Sequence, residues 1–197
     1  MARKTETTAK LKGKRTPKRT ISKCQTALFA HREILLHSRV LSIDPSSASS
    51  SSKPGWALWD RGLLVEMGVL DIKSTLPLST KLQMICHLLQ TEFPGISAVL
   101  LEGISAVPVY TKGQVRGIKN AGGQATYMNT GALQTLNKAV GVFIASWPVG
   151  TPVIEVPVVT WKSRIKKLLN VDKLVKSDDM DAYYIGLAVF DILKEIA

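Results

Sequence analysis

Val40-Leu41-Ser42-Ile43-Asp44-Pro45 is the stretch that decides the fold. Residues 40–43 are mostly β-favouring and apolar, and they stop at an acid followed by a proline, as a buried strand does when its carboxyl end opens on a site. The same pattern returns in Ala98-Val99-Leu100-Leu101-Glu102, within a strand predicted over residues 97–102. That run is apolar on both faces, the expectation for a central parallel strand covered by helices. Gly55-Trp56-Ala57-Leu58-Trp59 and residues 64–72 read as two further strands around a turn at Asp60-Arg61-Gly62, and so short a link makes them antiparallel.

Leu78, Leu82, Ile85, Leu88 and Leu89 recur at helical steps, and Pro94-Gly95 ends that helix. Leu133, Leu136, Val140, Phe143 and Trp147 mark a second helix over residues 126–147, and residues 152–156 read as a fifth strand. A short basic helix over residues 160–169 and a terminal helix over 177–196 complete the chain, while residues 26–40 fit either a short helix or the approach to a strand. This order predicts an α/β fold: a five-stranded mixed sheet, three antiparallel strands plus two parallel ones, flanked by helices.

The chain has 197 residues, 45% of them hydrophobic, enough for one domain with a substantial core. No apolar stretch approaches the ~20 residues a membrane-spanning helix needs. Cys24 and Cys86 have no metal-type spacing and make no disulfide framework, which fits a reducing compartment and a cytoplasmic location. Nine basic residues lie between Met1 and Cys24 against Glu6 alone, so most of the net charge of +11 sits in a tail. Residues 1–25 are therefore expected to be a disordered basic arm and residues 26–197 the folded domain. The arm reads as a phosphate-binding tail, as a merely solubilising extension, or as an organelle transit peptide lacking the usual apolar face.

Taken singly, each carboxylate at a strand or helix end has an ordinary explanation. Asp44 can form a turn before Pro45, Glu102 can be a solvated strand end, and Asp178, after Ser177, suits a helix N-terminus. Asp181 is harder to explain so, because it lies in line with Ile185, Ala188 and Ile192 on the stripe that should face the core. Parallel neighbouring strands would open Asp44 and Glu102 on one sheet edge, the usual ligand edge of open α/β sheets. The terminal helix must then pack across that edge to bring in Asp178 and Asp181. Acids so placed need a cation, and a set with no histidine or cysteine suits Mg²⁺ or Mn²⁺. Asp60, Asp71, Glu155 and Asp179 have no converging partner in the pattern, and His31, His37 and His87 show no ligand spacing.

Basic residues gather in two places. Lys112, Arg116 and Lys119 lie in a glycine-rich, acid-free loop over residues 103–124, and Lys162, Arg164, Lys166 and Lys167 lie on the basic helix. Both groups are candidate DNA contacts beside the acidic site, and the helix reads equally as a solvated face.

Ile43-Asp44-Pro45 with Gly55-Trp56-Ala57, then Leu100-Leu101-Glu102, then Asp178-Asp179-Met180-Asp181-Ala182 resemble, in order, the three motifs of the RuvC-type Holliday junction resolvases of the RNase H-like superfamily. The resemblance runs from about residue 39 to the C-terminus. It implies a homodimer that binds four-way DNA junctions and nicks two strands symmetrically. It further implies two Mg²⁺ ions per active site, replaceable by Mn²⁺, held by Asp44, Glu102, Asp178 and Asp181, with one ion activating water and the other stabilising the departing 3′ oxygen. Ser46 stands where the family has glycine, Ser105 is near the place of its aromatic wedge, and the loop through Gly123 is longer; such divergent loops fit a phage-encoded member. Within this fold a ribonuclease H or a flap/fork nuclease is the alternative, and a catalytically silent nucleic-acid-binding protein is the reading from another class. A sugar-kinase-type ATPase is disfavoured, because the chain has neither a second lobe nor glycine-rich phosphate loops.

Overall fold

Strand β1 (Arg39–Asp44) is the middle of a five-stranded sheet ordered β3-β2-β1-β4-β7 in a computed structural model that describes residues 23–45, 53–72, 75–103, 118–119, 125–126 and 130–195. Most of the basic arm, residues 1–22, the serine-rich stretch after Pro45, and Lys112 and Arg116 lie outside the described residues. β2 (Gly55–Asp60) pairs antiparallel with β1 and with β3 (Leu63–Val69), while β4 (Ala98–Gly103) runs parallel to β1 and β7 (Val153–Pro157) parallel to β4. The sheet is the mixed one expected, three antiparallel strands extended by two parallel ones and flanked by helices.

Arg61 at φ 50° and Gly62 at φ 75° make the tight β2–β3 link, and two successive positive φ values match a type I′ hairpin turn. The segment that read as helix or strand approach, residues 26–40, forms two short helices, α1 (Lys23–Ala30) and α2 (Arg32–His37), before β1 begins. α1 starts inside the span assigned to the arm, because Cys24 and Leu28 reach the core. The glycine-rich segment expected to be loop, residues 103–124, contains a two-residue strand, β5 (Ile118–Lys119), paired antiparallel with β6 (Ala125–Thr126) just beyond it, where the helix over residues 126–147 is expected to begin.

Strand parity sorts the core into two layers. Leu41, Ile43, Val99 and Leu101 pack with Leu82, Ile85 and Leu89 of α3 (Leu78–Glu92) and with Ala139, Val140 and Phe143 of α4 (Thr130–Ala145). Val40, Ala98 and Leu100 turn the other way, to Trp161 and Ile165 of α5 (Val158–Leu169) and to Ile185, Ala188, Val189 and Leu193 of α6 (Asp178–Lys194). Fully burying such side chains contributes ~1.5–3 kcal/mol each, so both faces of the sheet are held by helices. Asn170, at φ 53°, ends α5 in the left-handed conformation and turns the chain into the segment leading to α6.

Candidate active site

The alternation that fills the core also aims the acids. Asp44 shares the parity of Val40, and Glu102 that of Ala98 and Leu100, so both belong to the face covered by α6. Ile43 is paired with Leu101 across the parallel β1–β4 ladder, which brings the next residues, Asp44 and Glu102, side by side at the carboxyl ends. Asp44 is only 7% exposed, and the two carboxyl groups are within hydrogen-bonding reach.

α6 delivers the other two acids. Asp181 heads the stripe of Ile185, Ala188 and Ile192, all buried as that stripe predicted. Its Oδ2 lies 3.7 Å from Lys162 Nζ, and that ammonium sits 4.7 Å above the Trp161 ring. Asp178 accepts the Lys53 backbone N–H at Oδ2, 3.1 Å away, and so fixes the chain where it re-enters the sheet ahead of β2. Gly55 makes this approach possible: a methyl group there would collide with the Asp178 backbone carbonyl.

Charge in this cluster is strained in one direction. Burial pushes the Glu102 carboxyl above the usual range; hydrogen bonding to Asp44 and the Lys162 charge oppose the rise, and the Asp181 charge adds to it. Burial likewise raises Asp181, against the pull of Lys162 and with the repulsion of Asp178. Fully buried Trp161 has no well-aligned acceptor for its indole N–H, and from nearby that group favours ionised Glu102. Cys24 and Cys86 are free and buried, and burial holds the Cys24 thiol at about 11, so it is no nucleophile at neutral pH.

Among the described residues, no three acidic, imidazole or thiol side chains lie within reach of a single cation as they stand. The donor chemistry nevertheless fits a hard divalent ion, being all oxygen, strained toward the protonated form and clustered on one face. Asp44 and Glu102 are the closest pair, Asp181 is the next group to join them, and the Lys162 ammonium already offsets part of their charge.

Beside the acids lies a cavity of about 690 Å³, lined by Asp178, Asp181, Lys162, Lys166, Lys173, Lys176 and the apolar Leu174 and Val175. Lys162 and Lys166, one helical turn apart, were among the expected DNA contacts. Lys173 and Lys176 were not, because the irregular segment after α5 has no period that would show which way they face. Arg164, expected with them, instead bonds Asp191 and, at 2.6 Å, Glu195, both from the end of α6, and is absent from the cavity lining. Lys167 is exposed outside the cavity, and Lys119 is placed only as part of the backbone of β5.

The fold has known counterparts. RuvC of T. thermophilus, solved in complex with a Holliday junction substrate, superposes with a TM-score of 0.50 at 15% identity, covering 81% of this chain and 96% of that one. The fold is RuvC-like. A second structure of Thermus thermophilus RuvC has a TM-score of 0.45 at 14% identity, covering 80% of this chain and 95% of that one. No known family profile and no curated protein sequence matches this chain. Among the described residues no helix is long and apolar enough to cross a membrane.

Proposed function

We propose that the chain is a Mg²⁺-dependent endonuclease that acts as a homodimer on branched DNA, resolving four-way junctions by paired symmetric nicks. The observation that carries this reading is the convergence of Asp44, Glu102 and Asp181 beneath α6 at the carboxyl ends of two parallel central strands, in a RuvC-like fold. Asp44, Glu102, Asp178 and Asp181 would hold the ions. When bound, the metal supplies an activated water and stabilisation of the departing 3′ oxygen. Burial disfavours the ionised form of Glu102, so metal binding there would be tied to its deprotonation. Asp181, now 3.7 Å from the Lys162 ammonium, would serve as a ligand, and Lys162 would then be placed to meet a phosphate. Lys166, Lys173 and Lys176, and Lys112, Arg116 and Lys119 from the long loop, are the further candidates for holding the DNA backbone by charge.

The test is incubation with Mg²⁺ and end-labelled four-way junction, flap, linear duplex and RNA–DNA hybrid. Paired nicks in the junction are expected; preferential hybrid or flap cutting gives the fold a different substrate, and no metal-dependent product makes it a binding protein. Asp44→Asn is expected to lower cleavage by at least ~10³-fold while junction affinity in the absence of metal is retained. Cleavage kept by pure Asp44→Asn protein would sink the metal-site assignment.

A further inference from the structure

What holds the first turn of α6 against the sheet determines whether its acids meet those of β1 and β4. Ser42 lies on β1 two residues before Asp44, on the same face, and is fully buried. Its Oγ is 2.8 Å from the Ala182 carbonyl, 3.2 Å from the Ala57 carbonyl and 2.8 Å from Trp59 Nε1. An indole N–H can only donate, so the hydroxyl accepts from Trp59 and directs its single proton to Ala182, the nearer carbonyl. Ala182 adjoins Asp181. As an interior residue of α6 it has its own helical acceptor role, so the helix does not need Ser42 to satisfy that carbonyl.

Stability alone gives little reason for this network. Apolar groups of matching shape in place of a buried donor and acceptor are often as stable, whereas a half-satisfied network is worse than none. A hydrogen bond adds what packing does not, a fixed direction and distance between β1 and the turn that carries Asp178 and Asp181. The ring of Trp59 continues the contact along the helix, stacking on Tyr183 and lying where a side chain at Gly186 would collide with it.

We propose that Ser42 is a positioning residue for the carboxylate site, setting the depth and rotation of the α6 first turn so that Asp181 comes up to Asp44 and Glu102. This rests on the metal-dependent reading above and assigns no group that touches substrate.

The test uses the full chain with Ser42→Ala and the near-isosteric Ser42→Cys, which keeps the packing and weakens the donor. Leu89→Ala, in the core on the opposite face of the sheet, controls for stability loss alone. Mn²⁺ affinity is read by electron paramagnetic resonance without DNA, and kcat and KM are read on a labelled junction in Mg²⁺. Both Ser42 variants are expected to bind Mn²⁺ several-fold more weakly and to lose on the order of tenfold in kcat with KM within about twofold. Leu89→Ala should lower Tm at least as much while keeping Mn²⁺ affinity and kcat. Wild-type values in Ser42→Cys, or equal losses in Leu89→Ala, overturn the proposal, and if Ser42→Ala does not fold, Ser42→Cys decides. A wild-type chain that binds Mn²⁺ but cuts no substrate removes the nuclease reading and leaves the Mn²⁺ comparison to decide the role of Ser42. A chain that binds no Mn²⁺ overturns both.

Discussion

Glu102 is a carboxyl whose ionisation burial opposes, and that opposition gives a pH dependence of known sign. Its folded value is raised above the ordinary 4.5, chiefly by burial, and that of Asp181 above the ordinary 3.8 for the same reason. Below those ordinary values both groups are protonated in the folded and unfolded chain, and their contribution to stability is present in full. As pH rises the unfolded chain loses the protons first, so the contribution declines and is lost once pH passes the raised folded values. A divalent ion bound as proposed would reverse the trend by stabilising the anions. Thermal denaturation between about pH 4 and pH 8 should therefore show Tm falling across this window without metal, a flatter curve for Glu102→Gln, and a Mg²⁺-dependent rise that grows with pH. Parallel curves for wild type and Glu102→Gln would show that burial at this position does not disfavour the charge. The pattern made Asp181 the acid hardest to explain, and its place on a buried stripe accounts for that. Asp178, which read equally as a helix-end residue, has a bracing role on Lys53 in addition to its place in the cluster.

At the scale of elements, the site depends on how α6 is held at both of its ends. Its first turn approaches β2 over Gly55, where no side chain fits between sheet and helix. Gly55→Ala should force the helix outward, costing about 1–3 kcal/mol of stability and reducing cleavage more than junction binding. Its last turn is tied to α5 by Arg164, which reaches Asp191 and Glu195 with a side chain only 19% exposed. Arg164→Ala should lower stability by about 1–2 kcal/mol, less than a fully buried pair because Glu195 is solvent-screened. It should leave the salt dependence of junction binding unchanged, whereas Lys166→Ala, from the cavity, should reduce that slope by about one unit. A fall in the slope for Arg164→Ala as well would return Arg164 to the phosphate contacts. The five strands of the main sheet and the helices from α3 onward could be located from periodicity to within a few residues, because hydrophobic spacing records which face is covered, whereas the segment that forms α1 and α2 fits either reading. The partners of Arg164 could not, since a charge on an amphipathic helix reads the same whether it meets phosphate or a neighbouring helix.

On the scale of the whole molecule, the proposed function would give cutting to the acidic site and binding to the basic surfaces. Removing residues 1–22 takes away most of the arm's positive charge and is expected to weaken junction binding, flatten its dependence on salt and leave kcat at saturating DNA unchanged; an unchanged slope in a titration over ionic strength would free the arm from phosphate contact. The order of strands, their apolar faces and the presence of acids at their ends were all legible in the amino-acid sequence, because burial imposes periods of 2 and 3.6 that composition alone cannot hide. Only the tertiary structure decided that Asp44 and Glu102 stand side by side, that Asp181 lies on the same face of the sheet close enough for its charge to act on Glu102, and that Lys173 and Lys176 share a cavity with Asp178 and Asp181. The first two relations join residues tens of positions apart, and the third depends on the path of an irregular segment. They depend on strand register and on how α6 packs on the sheet, and no local pattern carries that information.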